Sequence, residues 1–192
     1  MAIDHIARRD SDGVTHYVDR QDEPMSCALA CIGMAWEQTR QQCSVRQESG
    51  YKIVSGQFPQ SLLASQLAGD NGGLGWGTWA INVSSTLQAI GIPVTKTDSF
   101  NPAPGNYGFV WRKPRIQAQH PAIILVGWYS TGANGALTRN GGHFIVASRV
   151  TNHGWVVVLD PASGTLHELH GSRGHYNNHN LHGLMEVVIY TG

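Results

Sequence analysis

The strongest constraint on the fold is a succession of short apolar segments that follows Gly91. Glycine, proline or asparagine separates several of them, and in order they read IPVTK, YGFVW, PAIILVGW, FIVASRV, WVVVLD and MEVVIY. Short apolar segments bounded by turn-forming residues are typical of β-strands. The second half of the chain is therefore predicted to form a β-sheet.

Helical periodicity is concentrated in the first half of the chain, after a short strand-like THYV. Residues 26–42 place apolar side chains at helical spacing, with Pro24 ahead of them and Ser26 as the predicted N-cap. Two more helices are predicted over residues 60–68 and 83–90, and Gly91 ends the second of these. This order indicates an α+β domain, with N-terminal helices packed against a C-terminal antiparallel sheet.

The length of 192 residues suits one domain with a substantial core. We expect a single domain over residues 1–192, with a helical part at about 20–91 and a sheet part at about 92–192. The 23 glycines and 8 prolines indicate many turns, which argues against a helical bundle, a coiled coil or a helical repeat.

Charge and hydropathy exclude two classes of partner. The 13 basic and 13 acidic residues cancel to a formal net charge of +0, so no long-range field attracts nucleic acid or an anionic membrane surface. No segment reaches the ~18 apolar residues that span a bilayer, and MAIDHIARRDSDG lacks the apolar core of a signal peptide. We therefore expect a soluble protein with no Sec signal, no membrane span and no nucleic-acid partner.

Three cysteines, Cys27, Cys31 and Cys43, cluster around one predicted helix. An odd number cannot pair completely within the chain, and the spacing is not that of a disulfide framework, so free thiols are expected. Cys27 lies at the helix start, where unpaired N–H groups and the helix dipole favour a thiolate, as a nucleophile requires. The alternative is a small buried residue, which is the favoured interpretation for Cys31 and Cys43.

The segment from GGHFIVASRV to WVVVLDP is predicted to form a hairpin that brings an imidazole and a carboxylate together. A turn near residues 151–153 places His143 near Asp160, with ~5 Å between the Cβ atoms if the two are directly opposed. A carboxylate in that position orients a catalytic histidine and stabilises its protonated form. The alternative is that His143 merely ends a strand and that Asp160 begins a turn with Pro161.

Four residues in one order carry a resemblance to a known superfamily. Gln21 precedes Cys27 by six residues within QDEPMSCALACIGMAWE, and GGHFIVASRV and VVVLDPASG follow downstream. These segments resemble the papain-like cysteine peptidases, in particular the compact bacterial branch that includes bacteriocin-leader peptidases and type III effector proteases. The resemblance implies a papain-like fold with Gln21, Cys27, His143 and Asp160 as catalytic residues. In that family the glutamine and the cysteine N–H form the oxyanion hole.

The resemblance also implies a function and a location. It implies a thiol protease that cleaves a protein or peptide substrate through a Cys-His-Asp triad and an acyl-enzyme. It further implies that the protein is cytoplasmic or is delivered by a specialised secretion system into a host or neighbouring cell. Two alternatives stay open, namely acyl transfer of the deamidase or transglutaminase type on the same fold, and a binding module with an inactive site.

Five histidines in HELHGSRGHYNNHNLHG invite a metal-site interpretation: His167, His170, His175, His179 and His182. No HExxH or Cys-x-x-Cys pattern accompanies them, and the asparagine-rich context favours a polar loop before the last strand. We therefore expect no metal and no cofactor. The sequence leaves the oligomeric state open.

Overall fold

A computed structural model describes residues 5–21, 27–40, 79–103, 115–169, 176–178 and 181–192. Within these residues the chain is α+β, with two helices and a mostly antiparallel sheet, as the sequence predicts. The helix expected at 60–68 and the strand expected at YGFVW, residues 107–111, lie outside the described residues.

The two helices are α1, Cys27–Arg40, and α2, Ala80–Ala89. Helix α1 begins at Cys27, while Ser26, its predicted N-cap, lies outside the described residues. Helix α2 begins three residues earlier than the sequence indicates and ends where expected. Gly91 adopts φ 80° and donates its N–H to Gln88, and Ile92 donates to Leu87, so the predicted glycine cap is present.

The described strands form two sheets. The small sheet pairs β1 with β2, and the large one has seven strands in the order β3-β9-β4-β5-β6-β7, with β8 paired to β9. Their bounds are β1 His5–Arg9, β2 Thr15–Asp19, β3 Val94–Ser99, β4 Ala122–Thr131, β5 Leu137–Val150, β6 Val156–Asp160, β7 Thr165–Leu169, β8 Tyr176–Asn178 and β9 Leu181–Thr191.

Three of these strands were not predicted. Strands β1, β7 and β8 are short and polar, so they lack the apolar pattern by which a strand is recognised. The small sheet also means that a pair of strands precedes helix α1. The last three residues of β7 lie in the segment 167–183 that was expected to be a polar loop. The strand forms because it pairs with β6 across the register Asp160↔Thr165 to Val156↔Leu169.

Both faces of the large sheet are buried at its centre. On one face Ile123, Val146 and Leu159 pack with residues of α1 and α2, whereas Ile124 and Ile145 belong to a second apolar cluster. Strands buried on both faces read as continuous apolar runs, which explains the sequence AIILV in β4. Helix α1 packs on β5 and also contacts β2 and β4, so its first residue lies close to the strand that carries His143.

No helix among the described residues is long and apolar enough to cross a membrane.

Candidate active site

The thiol of the site comes from the first residue of helix α1. Cys27 is partly exposed, whereas the following turns of the helix are almost entirely buried, with Ile32 and Ala35 fully inaccessible. The helix is therefore held firmly by its apolar side chains while its first residue reaches solvent. Its N-terminal N–H groups carry the positive end of the helix dipole at the position of this sulfur.

An imidazole and a carboxylate stand behind the thiol, on two neighbouring strands. His143 in β5 and Asp160 at the end of β6 are 7% and 8% exposed, and His143 Nε2 lies 2.7 Å from Asp160 Oδ1. The His143 side chain is also hydrogen-bonded to Cys27. Because Nε2 is engaged by Asp160, Nδ1 is the ring nitrogen left to bond the sulfur. The three side chains thus form one hydrogen-bonded series from thiol to imidazole to carboxylate.

In the β5–β6 hairpin, His143 and Asp160 contact each other diagonally and are not directly opposed. Strands β5 and β6 pair Val146 with Leu159, and continuing that register places Asp160 beside Ile145. His143 is thus two residues beyond the directly opposed position, on the same face of the sheet, and it reaches Asp160 diagonally through its long ring. The predicted juxtaposition is confirmed, with this shift in register.

The turn that follows Asp160 is also present, so the two interpretations of this residue are compatible. Residues 161–164 form a turn in which Gly164 donates its N–H to the Asp160 carbonyl at 2.9 Å. The Asp160 carboxylate accepts further bonds from the Ala162 N–H at 2.8 Å and from Ser163 Oγ at 3.1 Å. These bonds fix the carboxylate and leave Oδ1 aimed at the imidazole.

The surroundings of His143 favour its charged form. Burial by itself lowers the pKa of this imidazole, but hydrogen bonds to Asp160 and Cys27 and the negative charge of both outweigh it and raise the pKa from 6.5 to about 9. His143 is therefore an imidazolium near neutral pH. An imidazolium beside a cysteine is the partner that a thiolate nucleophile requires.

Cys31 has the opposite character. It is fully buried one turn after Cys27, and burial together with the negative charge of Cys27, Asp160 and Asp19 raises its thiol pKa well above the usual value. It therefore fits the predicted role of a small core residue. Cys43 lies outside the described residues.

Gln21 is joined to the turn that carries Asp160. Its backbone N–H donates to the Pro161 carbonyl at 2.8 Å, so the segment ahead of helix α1 runs beside the end of β6. Residues 22–26, which connect Gln21 to Cys27, lie outside the described residues. The role of the Gln21 amide in an oxyanion hole stays a prediction.

The Trp128 side chain packs on the imidazole of His143. Its ring stacks on that of His143 with centroids 6.2 Å apart and an interplanar angle of 16°. The two residues are diagonal neighbours, since β4 pairs Val126 with His143 and Trp128 with Gly141. The indole therefore lies over one face of the imidazole.

Two features near the site were missed by the sequence reasoning. A series of hydroxyl groups leads from Asp160 through Ser163 and Thr165 to His167 Nε2, with distances of 3.1, 2.6 and 2.9 Å. The sequence signal that could have revealed it is the serine three residues after Asp160 in the Asp-Pro turn. The second feature is Asp19, which is 1% exposed at the end of β2 and gave no such signal.

The histidine-rich segment is only partly described. His167 lies on β7 and bonds Thr165, whereas the side chains of the other four histidines lie outside the described residues. In the part of the chain that the structure describes, no group of three or more His, Cys, Asp or Glu side chains could hold a metal ion.

Comparison with known proteins adds no family to this description. No protein-family model matches the sequence, and no curated protein matches it. The function of the site must therefore be argued from its own residues and their geometry.

Proposed function

We propose that this chain is a papain-like cysteine peptidase that cleaves a peptide bond of a protein or peptide substrate. One observation carries the proposal, namely the hydrogen-bonded series of Cys27, His143 and Asp160, with the thiol at the first residue of a helix. The order of these residues along the chain, with Gln21 ahead of them, adds support through the superfamily resemblance.

Acylation begins when Cys27 Sγ attacks the carbonyl carbon of the substrate. His143 holds the proton of the Cys27 thiol on Nδ1 and donates it to the leaving amine as the carbon–nitrogen bond breaks. Asp160 accepts the bond from Nε2 throughout, which keeps the ring oriented and stabilises its charge. The product of this step is a thioester on Cys27 and a free amine.

Deacylation reverses the roles of the same groups. His143 takes a proton from water, the water oxygen attacks the thioester, and the carbon–sulfur bond breaks to release the acid. The Gln21 side-chain amide and the Cys27 N–H are the proposed donors to the oxyanion in both steps. A donor in such a site contributes ~3 kcal/mol to stabilisation of the transition state.

A thiol-reactive activity probe tests the assignment of the nucleophile. At neutral pH the probe should label Cys27 in the folded protein and leave the buried Cys31 unmodified, as mapped by mass spectrometry. Cys27→Ala should abolish labelling and turnover without unfolding the protein, and Cys31→Ala, the matched control, should retain both. Turnover by Cys27→Ala together with loss of activity in Cys31→Ala would overturn the assignment.

The fate of the acyl-enzyme separates peptidase from the alternative reactions. A peptidase creates new termini in a treated proteome, whereas a deamidase shifts glutamine by about one dalton and creates none. If the iodoacetamide reactivity of Cys27 equals that of a free cysteine, the site is inactive and the chain is a binding module.

A further inference from the structure

A second series of hydrogen-bonded side chains lies away from the thiol. Asp10 follows β1, His16 lies in β2 and Ser148 lies in β5. His16 Nε2 is 3.0 Å from Asp10 Oδ2, and His16 Nδ1 is 3.1 Å from Ser148 Oγ. The series thus links carboxylate, imidazole and hydroxyl, the connectivity by which a serine nucleophile is recognised whatever the fold around it.

This group is separate from the candidate active site. Ser148 is five residues beyond His143 on the same strand, a distance of about 17 Å along an extended chain. Gln38, which bonds Ser148, is eleven residues beyond Cys27, or about 16 Å along helix α1. The two groups therefore lie near opposite ends of α1.

The carboxylate of the series is ionised and fixed in position. Burial raises the pKa of Asp10, but bonds from His16, the Val14 N–H and Arg149 outweigh it and lower the pKa below its usual value. Arg149 also donates to Asp12 at 2.7 Å, so the guanidinium is shared between two carboxylates. Asp10 is held as an anion in contact with Nε2 of His16, which stabilises the tautomer that carries its proton there.

The hydroxyl of the series lies at an irregularity in the sheet. The pairing of β5 with β6 shifts register between Ala147 and Arg149, so Ser148 is the residue at the bulge. A bulge re-aims the side chain it carries and is common beside active sites. Ser148 Oγ donates its proton to Gln38 Oε1 at 2.9 Å. Rotation of the Gln38 amide replaces Oε1 with the NH₂ group, and the hydroxyl proton is then left for His16 Nδ1, which is unprotonated while Nε2 carries the proton toward Asp10.

His16 and Ser148 are among the residues that line a cavity of about 320 Å³. Val14, Met34 and Ala118 contribute to a largely apolar wall, while His16 and Ser148 supply polar atoms. The volume is at the lower end of the range for small-molecule sites. Arg149, which lines the cavity, is already paired with two carboxylates, and the buried acidic residue Glu37 lies in the same wall, so neither favours an anionic ligand. The cavity therefore suits an uncharged ligand with a short apolar group.

We propose that Ser148 is the nucleophile of a second acyl-transfer site, with His16 as general base, Asp10 as its orienting group and small uncharged carboxylic esters as substrates. This proposal is independent of the function proposed for Cys27. The Gln38 amide lies against the same hydroxyl, with Oε1 2.9 Å from Ser148 Oγ. Rotation of that amide brings its NH₂ group to this side, where it donates to the oxyanion.

The reaction balances with water as the only co-reactant. Ser148 Oγ attacks the ester carbonyl carbon, His16 Nδ1 takes the hydroxyl proton, and the carbon–oxygen bond to the leaving group breaks as the alcohol receives that proton. Water then gives a proton to Nδ1 and attacks the acyl-serine. The bond to Oγ breaks, Oγ recovers the proton and the carboxylic acid leaves.

Diisopropyl fluorophosphate, a small serine-reactive reagent, tests the proposal on the full chain carrying Cys27→Ala, which removes the thiol site. We expect one phosphoryl adduct, mapped to Ser148 by mass spectrometry, and hydrolysis of p-nitrophenyl acetate that the adduct blocks. Adding His16→Gln should slow labelling about 100-fold or more, the usual contribution of a general base. Thermal unfolding of each variant shows whether it is folded.

Ser85→Ala in the same background is the matched control, since Ser85 Oγ bonds only its own helix at Ile81 among the hydrogen bonds described and lies on α2. It should leave both labelling and ester hydrolysis unchanged. Absence of a Ser148 adduct in the folded Cys27→Ala protein overturns the proposal. An adduct that forms equally fast in a folded His16→Gln variant overturns it as well.

Discussion

The two nitrogens of the His143 ring have different neighbours, and this difference determines what each partner contributes. Asp160 binds Nε2 and supplies charge and orientation, whereas Cys27 lies at the nitrogen that exchanges the proton in the proposed mechanism. A change in the carboxylate should therefore alter the titration of the ring without removing the thiol.

Asp160→Asn tests this division. The amide keeps the size of the side chain but loses its charge, so the pKa of His143 should fall well below about 9, because burial then opposes the imidazolium with less compensation. Turnover should fall about 100-fold or more. NMR titration of the ring measures the first effect and a peptidase assay the second.

Ser163→Ala is the matched control for that substitution. It removes one hydrogen bond to the Asp160 carboxylate but leaves the carboxylate charge, so the pKa of His143 should stay at about 9. If the His143 titration is the same in Asp160→Asn as in the wild-type protein, the carboxylate does not support the imidazolium.

At the residue scale, the sequence predicts contacts between residues that belong to one hairpin or one helix. His143 and Asp160 could be paired in advance because one hairpin connects them, and Cys27 could be placed because it starts an apolar helical segment. Only the docking of the small sheet on β5 brings together Asp10, His16 and Ser148, so no local sequence pattern predicts that they are neighbours.

At the scale of elements, the small sheet is fastened to the turn after Asp160. Arg8 Nε donates to the Gly164 carbonyl at 3.0 Å, and Gln21 donates to Pro161 in the same turn. Gly164 adopts φ +64°, and a Cβ added there would lie 2.5 Å from Ile6 Cδ1. The turn therefore depends on glycine both for its backbone conformation and for the close approach of β1.

Gly164→Ala should destabilise the protein by about 1–3 kcal/mol, because it introduces backbone strain and a contact with Ile6. Urea unfolding measures the loss. Gly141→Ala is the control, since its Cβ meets Trp128 Cδ1 at an ordinary 3.8 Å. Equal stability of the two variants would show that the turn accommodates a side chain.

Helices and strands could be predicted from the sequence where they are buried, because burial requires apolar residues. Strands β4, β5, β6 and β9 are rich in apolar residues because they lie at or beside the sheet centre, and the sequence identifies all four. Strand β7, with the sequence TLHEL, is defined by its pairing with β6 instead. A polar edge strand of this kind is invisible to a pattern of apolar residues.

At the scale of the whole molecule, the state of His143 links the site to stability. Its pKa is raised to about 9 in the folded protein, so its stabilising contribution is complete below pH 6.5 and is lost as the pH rises through about 9. The shift corresponds to at most about 3 kcal/mol.

The free energy of unfolding of the wild-type protein should therefore fall between pH 6.5 and pH 9 by up to that amount. Chemical denaturation at both pH values measures it, and His143→Gln, which cannot titrate, should show a smaller fall. A variant that loses as much stability as the wild-type protein would show that other groups cause the pH dependence.

The order of strands in the large sheet could not be deduced from the order of segments along the chain. Strand β9 lies between β3 and β4, so residues distant in sequence meet at the sheet centre. Apolar segments alone predict that these strands are buried, but not which of them are neighbours.

The place of β9 between β3 and β4 has a consequence for synthesis. A ribosome delivers residues in order, and β3 and β4 emerge while the strand that joins them is still inside the exit tunnel. The sheet that supports both members of the imidazole–carboxylate pair is completed only after residues 181–191 have been translated. A nascent chain thus exposes Cys27 for most of translation without the complete sheet behind it, and the proposed site can assemble only when synthesis of β9 is finished.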